Sequence, residues 1–254
     1  RSDFVLTNRT PFWIFDVMQH YQHLIDGRWS EPSTGTYFDS EEPFSGKAWA
    51  RIARGTEADV ESAVRAAYAA FTSGPWSRMT ATERGTRLRA LADVLEANAE
   101  RIGLIEQRDN GKLITEVAGQ ARGAAQWFHY YAGLADKVQG QVVPMPKPGV
   151  LNMVKYEPLG VVAAITPWNS PLSLTTWKVA PALAAGNTVV IKPSEFTSAS
   201  ILEFAALCEV AGIPPGVVNV VTGFGAEVGA PLVRHPLVAK VAFTGGDIAG
   251  QKVY

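Results

Sequence analysis

Between residues 56 and 138 the apolar positions recur every three or four residues, which is the spacing of amphipathic helices. Two helices are predicted to begin at capping boxes, in which a Thr side chain and an acidic side chain three residues later each bond a backbone N–H of the first turn. We expect the second of these helices to run on to about Ile102, and a third to cover 114–138. The two boxes are Thr56 with Asp59 and Thr80 with Glu83.

The segments on either side of these helices have extended patterns. HLIDGRWSEP, which begins at His23, has Asp26-Gly27 after a short apolar run and predicts a β-hairpin. Residues 139–158 combine strand-like runs with prolines. Because proline cannot donate to a central ladder, this segment is typical of a sheet edge or a protruding arm.

From Gly160 onward, short and nearly continuous apolar runs alternate with helical ones. This pattern predicts a parallel sheet covered by helices on both faces. Thr197 or Ser198 is expected to cap the helix at 198–211, and Gly212 to end it. The predicted strands are 160–166, 187–193, 216–223 and 240–245, and the other predicted helices are 171–185 and about 225–234.

Composition and charge narrow the class of protein. The chain has 254 residues, 47% of them hydrophobic and 19% charged, with a net charge of −1, so it is long enough for a packed core. No basic tract indicates nucleic acid, and no apolar run approaches the ~20 residues that a bilayer span needs. A single cysteine excludes a disulfide framework, and the first 19 residues lack a signal-peptide pattern, so we expect a cytoplasmic location.

The corner that follows the first predicted strand carries an amide. In Thr166-Pro167-Trp168-Asn169, two interpretations of Asn169 stay open. It can cap the helix that starts near Pro171, or its amide can donate two hydrogen bonds into a cavity and stabilise a developing alkoxide. Parallel sheets bind ligands at the carboxyl ends of their strands, which is where this corner falls.

The corner after the second strand, Lys192-Pro193-Ser194-Glu195, carries a charge of each sign. It is either a solvated loop or a ribose site, since an acidic group beyond the second strand of a doubly wound sheet commonly accepts from ribose hydroxyls. The same carboxylate would repel a 2′-phosphate, which favours NAD over NADP. Lys192 would soften that repulsion.

Glycines follow the remaining two strands. Gly223 to Gly229 come after the third strand, and Phe243-Thr244-Gly245-Gly246 after the fourth. Glycines at a strand-to-helix junction let the backbone approach a phosphate. Ordinary turn chemistry is the alternative explanation for both segments.

Cys208, the only cysteine of the chain, is interpreted as a core residue. It lies among apolar residues of the helix at 198–211, and no histidine stands at catalytic spacing to it. The four histidines are scattered along the chain, so no metal site is predicted. The sequence therefore offers no candidate nucleophile.

Four motifs, taken together in their order and spacing, resemble the aldehyde dehydrogenase superfamily: TPWNSPL, WKVAPALAAGNTVVIKPSE, GIPPGVVNVVTG and KVAFTGG. The resemblance runs from about His23 to Tyr254 and is most specific over 160–246. It implies an α/β fold: a Rossmann-like doubly wound parallel sheet with a helical N-terminal region and a protruding β arm. It also implies three parts: 1–138 as the helix-rich part of a coenzyme-binding domain, 139–158 as an oligomerisation arm, and 159–254 as an incomplete coenzyme-binding core.

The resemblance also implies roles for individual residues. Asn169 would donate to the aldehyde oxygen in an oxyanion hole, and Lys178 would lie near the reacting centre or serve only as a buried structural contact. Lys192 and Glu195 would hold the adenosine ribose, with Ser194 nearby. The other implied coenzyme residues are Ile165, Thr166, Pro167 and Trp168 along the cleft, Gly225 and Gly229 beside the adenine, and Phe243, Gly245 and Gly246 at the pyrophosphate.

The implied reaction is NAD(P)-dependent oxidation of an aldehyde to a carboxylic acid through a cysteine thiohemiacetal and thioester. We expect NAD as the cofactor with NADP as the alternative, no metal, and a homodimer or homotetramer without nucleic-acid or membrane partners. Trp127, Phe128 and Trp177 either contribute to an apolar substrate tunnel or pack in the core.

The sequence departs from the family pattern at two places. Gly246 and Asp247 follow Phe-Thr-Gly where the family usually has Ser, which removes a hydroxyl near the phosphate and adds a carboxylate. The family's glutamate and cysteine motifs would lie beyond Tyr254, so we expect this chain to be part of an enzyme and inactive by itself.

Three other functions are compatible with parts of this sequence pattern. The first is a non-catalytic coenzyme-binding or scaffold protein of the same fold. The second is a related reductase that acts on acyl phosphates or acyl thioesters. An unrelated Rossmann dehydrogenase is disfavoured, because no GxGxxG follows the strand at 160–166.

Overall fold

The computed structural model describes residues 18–254; the first 17 residues, which hold most of the stretch without a signal-peptide pattern, lie outside it. The strands are β1 (Gln19–Tyr21), β2 (His23–Ile25), β3 (Arg28–Ser30), β4 (Tyr37–Glu42), β5 (Lys47–Ala53), β6 (Gln141–Val143), β7 (Asn152–Val154), β8 (Val161–Ile165), β9 (Thr188–Lys192), β10 (Val218–Val220) and β11 (Val238–Phe243). The helices are α1 (Glu57–Thr72), α2 (Ala81–Ala97), α3 (Ala99–Asn110), α4 (Ile114–Leu134), α5 (Pro171–Ala184), α6 (Ala199–Val210), α7 (Ala230–Arg234) and α8 (Asp247–Val253). Within these residues no helix is both long and apolar enough to cross a bilayer.

The central sheet has the order β11-β8-β9-β10-β2-β3. Its first four strands are parallel, as the sequence predicts. From β8 the chain proceeds through β9 and β10 on one side and then returns to place β11 on the other side of β8. The carboxyl ends of β8 and β11 therefore flank a topological switch point, which is where open α/β sheets bind ligands.

Alternate residues of the parallel strands pack into two separate cores, one on each face of the sheet. In β8, Val161 and Ala163 belong to the cluster formed with α1 and α7. Val162 and Ala164 belong to the larger cluster formed with α2 to α6. All five residues of β8 and all five of β9 are buried, which confirms the predicted two-sided coverage.

The predicted hairpin forms, with β2 paired antiparallel to β3 around a turn at Asp26 and Gly27. It also extends the central sheet, because Leu24 pairs with Val220 of β10. A second sheet with the order β1-β5-β4 was not predicted. Residues 139–158 contain the antiparallel pair β6–β7, whose side chains are mostly exposed, in agreement with the predicted arm.

Two details of the helices differ from the sequence prediction. The helix predicted to run from Thr80 to about Ile102 is two helices, because the backbone leaves helical geometry at Asn98. Neither Thr197 nor Ser198 caps α6 with its side chain. The first N–H of α6 is instead bonded at 3.0 Å by the buried carboxylate of Asp109 on α3. Both predicted capping boxes, at the starts of α1 and α2, are present.

Candidate functional site

The ends of three parallel strands are hydrogen-bonded to one another at one edge of the central sheet. Thr166 N, just after β8, donates to Lys192 O of β9 at 3.2 Å, and Thr244 N, just after β11, donates to Ile165 O at 3.1 Å. The corners that carry Asn169, Glu195 and Gly245 therefore start from adjacent points on this edge.

The corner after β8 exposes the side-chain amide of Asn169. Thr166 is buried at its start, whereas Trp168 is 55% exposed and Asn169 is exposed. The residue that caps α5 is Ser170, so the interpretation of Asn169 as the helix cap is wrong. Among the residues that the structure describes, the Asn169 amide has no hydrogen-bond partner, and its two N–H groups are available to an external oxygen.

Side chains of α3 and of the turn after it hold this corner from behind. Lys112 Nζ donates to Ser170 Oγ at 2.6 Å and to Gln120 Oε1 at 2.9 Å. Glu106 Oε2 accepts from Leu172 N at 3.2 Å, at the start of α5. Burial raises the pKa of the Glu106 carboxyl to about 7. Neither Glu106 nor Lys112 is indicated by any pattern in the sequence.

The Lys192–Glu195 corner is a partly buried ion pair rather than a solvated loop. Lys192 is 4% exposed, and its Nζ lies 3.3 Å from Glu195 Oε2. Burial lowers the pKa of Lys192, and the Glu195 carboxylate opposes that shift. Ser194 is also buried and has a local role, since its hydroxyl accepts from Phe196 N at 3.3 Å. Glu195 is the member of the corner that retains solvent contact.

Lys178 links α5 to the corner after β11. Its Nζ donates to Thr244 Oγ1 at 2.6 Å and to Leu174 O at 3.2 Å. Burial lowers the pKa of this lysine. The contact with Thr244 gives Lys178 a structural role at the switch point and places its ammonium beside the Phe243–Gly246 corner.

The two glycine corners differ in how they are fixed. Residues Gly225–Gly229 form one π-helical turn, in which Glu227 accepts from Arg54 at 2.9 and 2.6 Å. The Arg54 guanidinium also lies 5.0 Å from the ring centre of Phe224, and neither contact is predictable from the sequence pattern. Gly225 is exposed and Gly229 is buried.

Gly245 and Gly246 are exposed between β11 and α8, and Asp247 is the first residue of α8. A β-carbon at Gly245 would collide with the Phe243 ring, so any side chain at this position would force that ring to move. At Gly246 no heavy atom lies within 4 Å of where a β-carbon would sit. The backbone of this corner is thus open to a ligand.

Other candidate groups have structural roles. Burial raises the pKa of the Cys208 thiol to about 12, which excludes a thiolate nucleophile at neutral pH and confirms its prediction as a core residue. Phe128 is fully buried and stacks on Phe204 with centroids 5.8 Å apart. Trp127 and Trp177 instead form an exposed edge-to-face pair with centroids 5.6 Å apart. In residues 18–254 no group of acidic, histidine or cysteine side chains could hold a metal ion.

The strand order and the switch point define a Rossmann-type α/β fold. The chain belongs to the aldehyde dehydrogenase family, whose characteristic sequence it matches over residues 29–254. The family and fold expected from the four motifs are thereby confirmed.

Individual relatives agree with this assignment. The chain is 48% identical over 229 residues to (Z)-2-((N-methylformamido)methylene)-5-hydroxybutyrolactone dehydrogenase of Acinetobacter baylyi, covering 90% of this chain and 46% of that protein. Its fold matches an NAD-dependent aldehyde dehydrogenase from Sinorhizobium meliloti with a TM-score of 0.91 and 38% identity, over 94% of this chain and 48% of that one. The NAD⁺ complex of an aldehyde dehydrogenase from Bacillus cereus also matches with a TM-score of 0.91, at 37% identity over 96% and 50% of the two chains. The chain thus spans about half the length of the curated relatives it matches.

Proposed function

We propose that the natural protein containing this chain is an NAD-linked aldehyde dehydrogenase, and that these residues supply its coenzyme site and its oxyanion donor. One observation carries the proposal: an unused amide, a lysine–glutamate pair and an open glycine corner follow three adjacent strands at the switch point. Polar groups at the carboxyl edge of a doubly wound sheet are the usual means of holding a dinucleotide.

The coenzyme residues fit a dinucleotide in their chemistry. Lys192 and Glu195 would bond the adenosine ribose, and the Glu195 carboxylate would repel a 2′-phosphate, so NAD is preferred over NADP. The glycine corners would admit the rest of the coenzyme, with Gly225 and Gly229 beside the adenine and Gly245 beside the pyrophosphate. Ile165, Thr166, Pro167, Trp168, Ser194, Phe243 and Gly246 complete the set of proposed coenzyme residues.

When bound, NAD supplies the hydride acceptor. The chain's own contribution to the chemistry is electrostatic: as a nucleophile adds to the aldehyde carbon, the carbonyl oxygen gains negative charge, and the Asn169 N–H groups would donate to it. Lys178 would add positive charge near the same centre. Cys208 cannot be the nucleophile, because its thiol is buried in the core and bonded to Phe204 O at 3.9 Å.

The test uses the natural protein with NAD and a panel of aldehydes, with NADH formation followed by absorbance. We expect Asn169→Ala to lower kcat by about 10²–10³ fold, as the loss of one oxyanion donor does elsewhere, with an unchanged Kd for NAD. Gln126→Ala removes an exposed amide on α4 and serves as the control. NADH formation by the Asn169→Ala variant at the parent rate would refute the role of Asn169.

The assembly is proposed to be a homodimer or homotetramer joined through the β6–β7 arm. Apolar side chains on this arm are largely exposed, with Val142 at 71% and Met153 at 60%. Exposed apolar patches of this kind mark protein interfaces. The substrate is a small-molecule aldehyde, and the exposed Trp127–Trp177 pair is a candidate lining for its apolar part.

A further inference from the structure

The bend that carries Asn169 is anchored at both of its ends. On the β8 side, the N–H of Thr166 is bonded to Lys192 O at 3.2 Å. On the α5 side, the hydroxyl of Ser170 accepts a hydrogen bond of 2.6 Å from Lys112 Nζ. Only residues 167–169 lie between the two anchors, so both anchors restrict the backbone that carries Asn169.

Asn169 has no side-chain bond of its own that would fix its amide, as far as the described part of the chain shows. Its orientation therefore depends on the backbone of the bend. Ser170 adjoins Asn169, and its side chain makes no capping bond within α5. Among the described residues, the hydrogen bond from Lys112 Nζ is the one that fixes the Ser170 side chain, and it acts beside the backbone bond from Leu174 N to Ser170 O at 3.0 Å.

Lys112 is itself held in place. It lies in the turn between α3 and α4, where its backbone N–H is bonded by Asn110 Oδ1 at 3.0 Å. Gly111 ends α3 with a positive φ of 73°, which directs the chain into this turn. The ammonium also donates to Gln120 Oε1 at 2.9 Å, so it reaches Ser170 from a fixed direction. Hydrogen bonds from a charged donor are about twice as strong as neutral ones.

We propose that Lys112 is a positioning residue, which acts through Ser170 to hold the Asn169 amide where the developing oxyanion will form. This inference rests on the proposed function of Asn169. Lys112 contacts neither substrate nor coenzyme in this role. A misplacement of about 1 Å at a reacting group can cost about 10² in rate, so the loss of this anchor is expected to be visible in the chemical step.

The experiment is a double-mutant cycle in the natural protein, read as the single-turnover rate of NADH formation at saturating NAD and aldehyde. We expect Lys112→Met to lower this rate by about tenfold in the parent, within the range that misplacement costs. In an Asn169→Ala background the same substitution should have no further effect. Ser170→Ala should reproduce the loss, and Ser170→Thr, which keeps the hydroxyl, should restore most of the rate.

Lys137→Met is the matched control. Lys112 lies just before α4 and Lys137 lies just after it, and the Lys137 ammonium forms its ion pair with the exposed neighbour Asp136. Melting temperature and the Kd for NAD are measured for every variant. If Lys112 had only a structural role, Lys112→Met would lower the melting temperature, but its effect on the rate would be the same with and without Asn169. If Lys112→Met does not fold, the same double-mutant cycle with Asn169→Ala is measured for Ser170→Ala.

A parent-like rate for Lys112→Met, or an equal loss in both backgrounds, would overturn the inference while leaving Asn169 as the donor. An unchanged rate for Asn169→Ala would instead overturn the proposed function, and the positioning role with it.

Discussion

Glu195 is the single side chain that is expected to set coenzyme preference. Glu195→Gln removes the carboxylate that is proposed to oppose a 2′-phosphate, while the buried Lys192 ammonium remains. We expect the ratio of the Kd for NADP to the Kd for NAD to fall by at least about tenfold, since like-charge contacts cost several kcal/mol. Isothermal titration with both nucleotides measures it.

The control for that substitution is Glu209→Gln, which removes an exposed carboxylate at the other end of α6. It should leave the ratio of the two Kd values unchanged. An equal ratio for Glu195→Gln and the parent would show that Glu195 does not face the ribose.

At the residue scale, the sequence indicated the corners but not the groups that hold them. Asn169, Lys192 and Glu195 could be found because each follows an apolar strand. Lys112 and Glu106 could not, because they contact α5 from 58 and 66 residues away along the chain. Hydrophobic periodicity shows which face of a helix is buried, but not which polar group it meets.

At the scale of single elements, the two capping boxes are expected to contribute different amounts to the free energy of unfolding, although their sequence patterns are alike. Asp59 is 6% exposed, and besides Thr56 it bonds the N–H of Ser33 at 3.0 Å, so it ties α1 to the loop after β3. Glu83 is exposed and bonds only Thr80. We expect Asp59→Ala to lower the free energy of unfolding by about 3 kcal/mol and Glu83→Ala by about 1 kcal/mol.

Urea unfolding of the two variants and the parent measures this difference. Thr80→Ala, which removes the other half of the exposed box, should match Glu83→Ala. Equal losses for Asp59→Ala and Glu83→Ala would mean that the bonds to Ser33 contribute nothing.

Elements whose apolar residues follow a regular pattern could be predicted from the sequence, and elements without such a pattern could not. β8 and β9 are fully buried and read as continuous apolar runs. β5 has the mixed sequence KAWARIA, with exposed and buried positions out of strict alternation, so its sheet was missed. The break at Asn98 was also missed, because a single Asn inside a helical pattern does not by itself end a helix.

For the whole molecule, two buried carboxyls and a buried histidine are expected to make opposite contributions to the pH dependence of stability. Burial raises the pKa of Glu106 and of Asp109 to about 7, so the stability these carboxyls provide is complete below their ordinary values and is lost as pH rises through 7. Burial lowers the pKa of His23 to about 4, so its contribution is complete above its ordinary value and is lost as pH falls toward 4. Between pH 6 and 8 the free energy of unfolding should fall by roughly 1 kcal/mol for each carboxyl.

Chemical unfolding at pH 6 and pH 8 checks this prediction. Glu106→Gln keeps an acceptor for Leu172 N but does not titrate, so it should show about half of the parent's decline. A decline of the same size in Glu106→Gln and the parent would show that other groups are responsible.

A second prediction for the whole molecule concerns the β6–β7 arm. Val142 and Met153 face each other across β6 and β7, and both are exposed. We expect Val142→Lys with Met153→Lys to block association through the arm, because burial of two ammonium groups is unfavourable. Sedimentation velocity should show a smaller species than the parent, with an unchanged circular dichroism spectrum. An unchanged sedimentation coefficient would exclude the arm from the interface.

The alternation of strands and helices from Gly160 onward was sufficient to predict a doubly wound sheet. It was not sufficient to predict that β2 and β3 extend this sheet beyond β10. Leu24 and Val220 pair although they are remote in sequence, and an amphipathic hairpin gives no indication of the strand it will join.

The pair of Arg54 and Glu227 joins the small sheet to the loop after β10, since Arg54 directly follows β5. The Phe224 ring under the guanidinium also contacts Phe38 of β4, with centroids 5.1 Å apart. A loop 223–229 taken from another protein would keep this link between the small sheet and the loop after β10 only if it placed a carboxylate at position 227 and an aromatic ring at position 224. Position 54 has to be chosen together with those two residues when the loop is exchanged.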